Sequence, residues 1–171
     1  MIYTIGHSTR SADEFLHLLQ THGIALVADV RTIPRSRRHP HFESTALARF
    51  LASHGLGYRH FPELGGLRKP RPDSRNTGWR HPSFRGYADY METAPFESGL
   101  DELAGLAAAR RTAVMCAEAV WWQCHRRLLA DALLVRGIPV AHILSTDPPK
   151  PHELSEFARL EGGRLTYPGL L

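Results

Sequence analysis

Cys116 and Cys124 lie eight positions apart, with Glu118 between them and His125 and Arg126 directly after the second. A thiol next to an imidazole and a guanidinium is a combination that can hold a thiolate, because both cations favour its charged form. The same segment also suits an anionic ligand if it opens a helix, where free amides and the helix dipole favour negative charge. A second group, His7 and Ser8 with Asp29 and Arg31, offers a proton carrier, a carboxylate and a planar anion clamp. Asp29 interrupts an otherwise apolar run, and a buried carboxylate is costly without a partner. Trp79, Phe84 and Tyr87 offer aromatic faces on which a base can stack.

These residue types assign roles. Arg31 and Arg126 hold an anion, with Ser8, Trp79 and Tyr87 also on the substrate. Glu118 or Asp29 acts as general base or orienting acid, and His7 or His125 moves a proton. Cys116 or Cys124 is a nucleophile or an electrostatic wall. Each has a plainer reading beside it. The cysteines suit a core, Asp29 a structural pair with Arg31, and His7 a cap on the first helix. Trp79 suits a loop anchor, and Cys124-His125-Arg126 a lock between helix and sheet.

The elements that must position these residues alternate. A β-type run over 2–5 stops at Gly6. Ser11 with Glu14 three residues on reads as a capping box, followed by the stripe Phe15, Leu18 and Leu19 and a stop at Gly23. The run 24–30 reads as a strand buried on both faces. A helix over 44–54 and a weaker strand over 56–61 follow, then a long Gly-, Pro- and Arg-rich loop over 63–82. Helical patterns cover 84–93 and 96–109, a strand 112–116, a helix 121–136 and a strand 138–144. A turn over 147–151, a last helix over 152–160 and a tail complete the chain. This order predicts an α/β fold, a single layered domain with a mainly parallel sheet flanked by helices. The domain spans 1–146, and 147–171 forms a C-terminal extension packed on it. In such sheets ligands bind beyond the carboxyl ends of the strands, where all the candidate catalytic residues fall.

Composition limits the function classes. The 171 residues are 43% hydrophobic and 22% charged, which excludes wholesale disorder. Two cysteines exclude a disulfide framework and a four-cysteine zinc site, and the spacing of Cys116, Glu118, Cys124 and His125 matches no common metal motif, so no metal is expected. No Gly-rich nucleotide fingerprint, phosphate loop or nucleophile elbow is present, and no cofactor is indicated. No apolar run is long enough to span a bilayer, and the N-terminal residues lack a basic-then-apolar leader, so a cytoplasmic protein with no membrane partner is expected. The net charge is +4 and only Lys69 and Lys150 are lysines, so arginine dominates the positive charge. Arg31, Arg35, Arg37 and Arg38 form one basic segment; Arg68, Lys69, Arg71, Arg75 and Arg80 form another. Both follow strands, which predicts a basic cleft suited to a phosphate-bearing small molecule or a nucleic acid.

Six ordered motifs then carry a resemblance: Thr4-Ile5-Gly6-His7-Ser8; Asp29-Val30-Arg31 with Pro34 and Ser36; Leu64-Gly65-Gly66; 84–91, Phe-Arg-Gly-Tyr-Ala-Asp-Tyr-Met; Met115-Cys116-Ala117-Glu118; and Cys124-His125-Arg126. Together they resemble the bacterial and archaeal family called domain of unknown function 488 over about residues 2–143. The resemblance implies that the rim constellation is the family's polar signature and names no reaction. Ala119-Val120-Trp121-Trp122-Gln123 stands where similar proteins often carry polar residues, which implies an apolar lid, substrate wall or partner contact.

Three functional readings follow. The first is an enzyme acting at the carboxyl rim on a phosphate-bearing substrate, a nucleotide or nucleic acid. The second is a non-catalytic nucleic-acid-binding module. The third is a thiol-redox protein using Cys116 and Cys124, which requires the fold to bring the two together.

Overall fold

The computed structural model describes residues 1–170. Six strands form one sheet in the order β3-β2-β4-β1-β5-β6. They are β1 (Ile2–Gly6), β2 (Leu26–Asp29), β3 (Gly57–His60), β4 (Thr112–Cys116), β5 (Val140–Ile143) and β6 (Lys150–Pro151). The first five are parallel, and β6 pairs antiparallel with β5. Five helices flank them: α1 (Ala12–Thr21), α2 (Ser44–Ser53), α3 (Pro82–Tyr90), α4 (Ala94–Ala109) and α5 (Arg126–Val135). The α/β class and the mainly parallel sheet are as the alternating pattern predicts. No helix among the described residues is long and apolar enough to cross a membrane.

Side-chain alternation along the strands divides the core into two layers. Tyr3, Ile5, Val27, Ala113 and Met115 face α1 and α2, where Phe15, Leu19, Leu47 and Leu51 are fully buried. Ile2, Ala28, Val114 and Cys116 face α3, α4 and α5. The Ser11–Glu14 capping box forms as read, with Ser11 Oγ accepting from the Glu14 amide and the Glu14 carboxylate accepting from the Ser11 amide. The helix after β1 lies on one face and the helix after β4 on the other. The chain therefore changes face between two adjacent central strands, and a crevice opens at their carboxyl ends.

Two helical readings are corrected. The helix predicted over 121–136 is α5 alone, from Arg126; a short 3-10 turn at Trp121–Gln123 precedes it, and Cys124 is extended with φ −135° and ψ 154°. The side chain of Cys124, rather than a helical turn, then receives the Arg126 amide, 3.5 Å from Sγ. The helix predicted over 152–160 does not form. His152 and Ser155 turn inward to Asp131 on α5 instead of supporting local helical bonds. A hairpin follows, β7 (Arg159–Glu161) and β8 (Arg164–Thr166), whose turn residues Gly162 and Gly163 have φ 56° and 78°. Two consecutive positive φ values are the geometry of a tight hairpin and need glycine.

Candidate functional site

The rim residues separate into two clusters. The first grows from the end of β2. Asp29 is fully buried and accepts four hydrogen bonds: from the Arg31 amide (3.1 Å), Arg31 Nε (2.9 Å), Arg31 Nη2 (2.6 Å) and Tyr58 Oη (2.5 Å). The bidentate pair balances charge inside the protein. Burial, with the Asp29 charge beside it, pushes the Tyr58 hydroxyl well above the ordinary tyrosine value, a direction that keeps it a donor. Arg31 Nη1 donates to His7 Nε2 at 3.4 Å, and His7 Nδ1 donates to the Ser8 carbonyl at 2.9 Å. Burial, assisted by Arg31, lowers the His7 pKa to about 4, so the ring is neutral at pH 7, as an acceptor from arginine must be. Ser8 carries the left-handed φ of 50° that turns the chain out of β1. Every strong donor and acceptor of His7, Asp29 and Arg31 has a partner within the cluster or its backbone.

The second cluster grows from the end of β4 and the start of α5. Cys116 Sγ and Cys124 Sγ are 2.6 Å apart, both free and both buried. His125 Nε2 donates to the Val30 carbonyl at 3.0 Å, which aims Nδ1 at Cys124 Sγ, 3.5 Å away. Arg126 is 1% exposed; Nη2 donates to the Glu118 carbonyl at 2.5 Å and Nη1 to Thr4 Oγ1 at 3.4 Å. Among the described residues no carboxylate lies within ion-pair distance of this guanidinium, and its Nε has no acceptor. The local path is made possible by Gly6. A Cβ there would sit 1.7 Å from the Glu118 carbonyl oxygen that receives Arg126.

The two thiols differ in charge preference. Burial pushes the Cys116 thiol well up, and its hydrogen bond to Cys124 reinforces the shift. Burial alone would raise Cys124 too, but the Cys116 hydrogen bond, His125 and Arg126 hold it well below the ordinary thiol value. These opposite directions favour Cys116 as the donor of the pair and Cys124 as the acceptor.

A pocket of about 520 Å³ opens onto this cluster, walled by Thr32, Leu67, Phe84 and Trp122, with Cys124 and His125 on its inner side. Glu118 and Gln123 lie at its exposed edge. Gly66 closes one wall against the His125 ring; a Cβ at this position would lie 3.0 Å from Nδ1. Leu67 is exposed and has φ 59°, a conformation unusual for leucine and found at a pocket wall.

The structure thus brings Cys116, Glu118, Cys124 and His125 together beside the closed His7–Asp29–Arg31 group, which they meet through backbone hydrogen bonds such as His7 amide to Cys116 carbonyl at 2.9 Å. Four expected substrate contacts are placed elsewhere. Trp79 is 5% exposed and packs against Phe84, Phe157 and Tyr167, leaving no face for a base; it anchors the long loop. Tyr87 is fully buried behind His125, with ring centroids 5.0 Å apart, and donates to the Leu64 carbonyl. Arg126 is sealed under the loop from β4, and Arg31 is engaged by Asp29, so neither guanidinium reaches the pocket. Among the described residues no arginine or lysine lines it. Arg68 and Arg85 bond loop carbonyls, and Arg71 pairs with Glu92. The basic segments therefore act largely outside this cleft.

Sequence reasoning missed Thr4, Tyr58, Asp131, His142 and His152, all hydrogen-bonded near these clusters. The only signal for Thr4 and His142 is that each is a polar residue within a buried strand; their pairing is a property of the sheet register.

A parallel α/β domain with a paired-thiol site at the switch point of its sheet is the class that fold and site define. The chain belongs to the family described as domain of unknown function DUF488, whose model matches residues 11–133. No curated protein and no solved structure gives a match.

Proposed function

We propose that the protein is a thiol-dependent oxidoreductase in which the Cys124 thiolate is the nucleophile and Cys116 the resolving thiol. The observation that carries this reading is the buried Arg126 guanidinium, beside two thiols in contact and without a carboxylate partner. An isolated buried cation is very costly, and the anion within reach is the Cys124 thiolate. His125 receives the thiol proton at Nδ1 and passes it to the pocket, while as imidazolium it donates from both nitrogens.

A substrate disulfide fits this chemistry. Cys124 thiolate attacks one sulfur, forming a mixed disulfide and releasing the other half as thiolate. Cys116 gives its proton to that thiolate and attacks Cys124 Sγ, releasing the second half as thiolate. The substrate gains two electrons, the Cys116–Cys124 pair loses two, and an external thiol reductant restores it. The apolar pocket walls favour a small substrate with an apolar body. A dithiol of this kind fits a reducing cytoplasm.

The test is the rate of Cys124 alkylation by iodoacetamide against pH. The expected midpoint lies below the ordinary thiol range and moves up in Cys116→Ser. A Cys124 that reacts only above that range overturns the reading.

A second reading, nucleic-acid binding, draws support from the exposed Arg35, Arg37 and Arg38, whose side chains have no hydrogen-bond or ion-pair partner among the described residues. Replacing all three with Ser abolishes salt-sensitive binding to a DNA or RNA duplex if that surface is used, and leaves alkylation of Cys124 unchanged.

A further inference from the structure

A buried chain of hydrogen bonds leads away from Arg126 and ends on Asp131. Arg126 Nη1 donates to Thr4 Oγ1 (3.4 Å); Thr4 Oγ1 lies 2.6 Å from His142 Nδ1; His142 Nε2 lies 2.9 Å from His152 Nδ1; His152 Nε2 lies 2.8 Å from Asp131 Oδ1. All of these side chains are buried, and Trp121 seals His142 by stacking on it at 4.2 Å with an interplanar angle of 4°.

The direction of the bonds follows from the far end. Asp131 is fully buried and also accepts from the Ser155 amide and hydroxyl and from Tyr167 Oη. It is surrounded by donors, so its carboxylate accepts from His152 Nε2–H. With His152 neutral, its Nδ1 has a lone pair, which takes a proton from His142 Nε2. Neutral His142 in turn has a lone pair at Nδ1, which takes the Thr4 hydroxyl proton. Thr4 Oγ1 is left with lone pairs only, facing Arg126. Burial lowers the His142 pKa to about 3, and His152, Arg126 and Lys150 act in the same direction, in keeping with a neutral His142 ring.

We propose that Thr4, His142, His152 and Asp131 are positioning residues for the thiol site. The one-way chain presents an acceptor to Arg126 Nη1, and together with the Glu118 carbonyl it fixes the guanidinium beside the Cys116–Cys124 pair. Asp131 is tied by His152, Ser155 and Tyr167, so the segment after β5 sets the electrostatics of a site whose cysteines lie well before it in sequence. Thr4, His142 and His152 all fall outside the residues that the family model matches. The proposal rests on the thiolate reading of Cys124, and its first test does not.

Nitrogen-15 NMR of the ring nitrogens in the intact wild-type protein reads the tautomers directly. Both His142 and His152 are expected to be neutral with the proton on Nε2 at pH 7. A proton on Nδ1 of His142, or a charged ring, overturns the chain direction whatever Cys124 does. The second test is the pH profile of Cys124 alkylation in two variants. Thr4→Val removes the acceptor and is expected to raise the midpoint by about half a unit, which is about threefold less thiolate below it. Thr4→Ser keeps the hydroxyl and is expected to match wild type within about twofold. A Thr4→Val profile equal to wild type, with the wild-type midpoint low, overturns the positioning role alone. An ordinary wild-type midpoint overturns the thiolate reading instead. If Thr4→Val does not fold, the Thr4→Ser profile and the tautomers still decide: loss of the low midpoint in Thr4→Ser despite its hydroxyl counts against the role.

Discussion

The two clusters at the carboxyl rim are built from the same kinds of residue and end in different states. Around Asp29 the guanidinium of Arg31 meets a carboxylate in a bidentate pair, Tyr58 closes the second oxygen, and neutral His7 takes the remaining arginine proton. Around Cys124 the guanidinium of Arg126 meets carbonyl and hydroxyl oxygens but no carboxylate, and in the proposed reading the Cys124 thiolate supplies the missing charge. The first cluster is closed to the pocket and balanced within itself. The second opens on the pocket through Cys124 and His125. A satisfied ion pair stabilises an architecture; an unmatched buried cation changes the reactivity of whatever neighbour can ionise.

Four measurements sharpen or break this contrast. Asp29→Ala has the largest expected effect. It strands the Arg31 charge in the interior and is expected to cost about 3–5 kcal/mol in urea unfolding, with the alkylation midpoint of Cys124 unchanged in the folded protein. A stability loss below about 1 kcal/mol would mean that the Asp29 cluster is not the structural half of the pair.

Acid comes next, because both regions contain a buried neutral histidine. His7 titrates at about 4 and His142 at about 3 in the fold, against an ordinary value of 6.5. The unfolded chain therefore takes up these protons first. Stability from the two rings is complete above pH 6.5 and is lost as pH falls from there towards 4 for His7 and 3 for His142. The slope is at most about 1.4 kcal/mol per pH unit for each ring. Urea midpoints that stay flat between about pH 6.5 and 4.5 would show that neither ring is held neutral.

Arg126→Met tests the other side. With the cation gone, Cys124 is expected to protonate more readily, and alkylation at about pH 6 to fall about tenfold, equivalent to one pKa unit. Stability is expected to change little, since no buried carboxylate is left unpaired and the thiol can become neutral. A loss as large as that of Asp29→Ala would place both arginines in the same structural class.

Leu67→Gly is the smallest. It releases the left-handed backbone of a pocket-wall residue and is expected to add about 1 kcal/mol or less to stability. A decrease in stability would show that the Leu67 side chain contributes more through packing than its backbone costs.

The strands and most helices were legible because each is a local pattern. The Ser11–Glu14 box, the stripes and the glycine stops lie within a few residues of what they control. The parallel sheet followed from the alternation of elements, and the gathering of Cys116, Glu118, Cys124 and His125 followed from strand ends sharing one rim. The failures have a common cause. Residues 152–160 have no helix because Asp131, about twenty positions earlier, offers better partners to His152 and Ser155. Trp79 faces inward because Phe157 and Tyr167 arrive from the C-terminal segment. Neither contact leaves a trace in local periodicity.

By itself, then, the sequence determined the α/β class, the rim on which the candidate residues gather and the residue types available there, since these depend on short-range pattern and on strand polarity. Only the tertiary structure decided how the charges were shared. It gave Arg31 a carboxylate and denied one to Arg126, and it laid Thr4 of β1 beside His142 of β5. Ionisation inside a protein depends on which groups meet within a few ångströms in low dielectric, and that is fixed by packing between segments far apart in the chain.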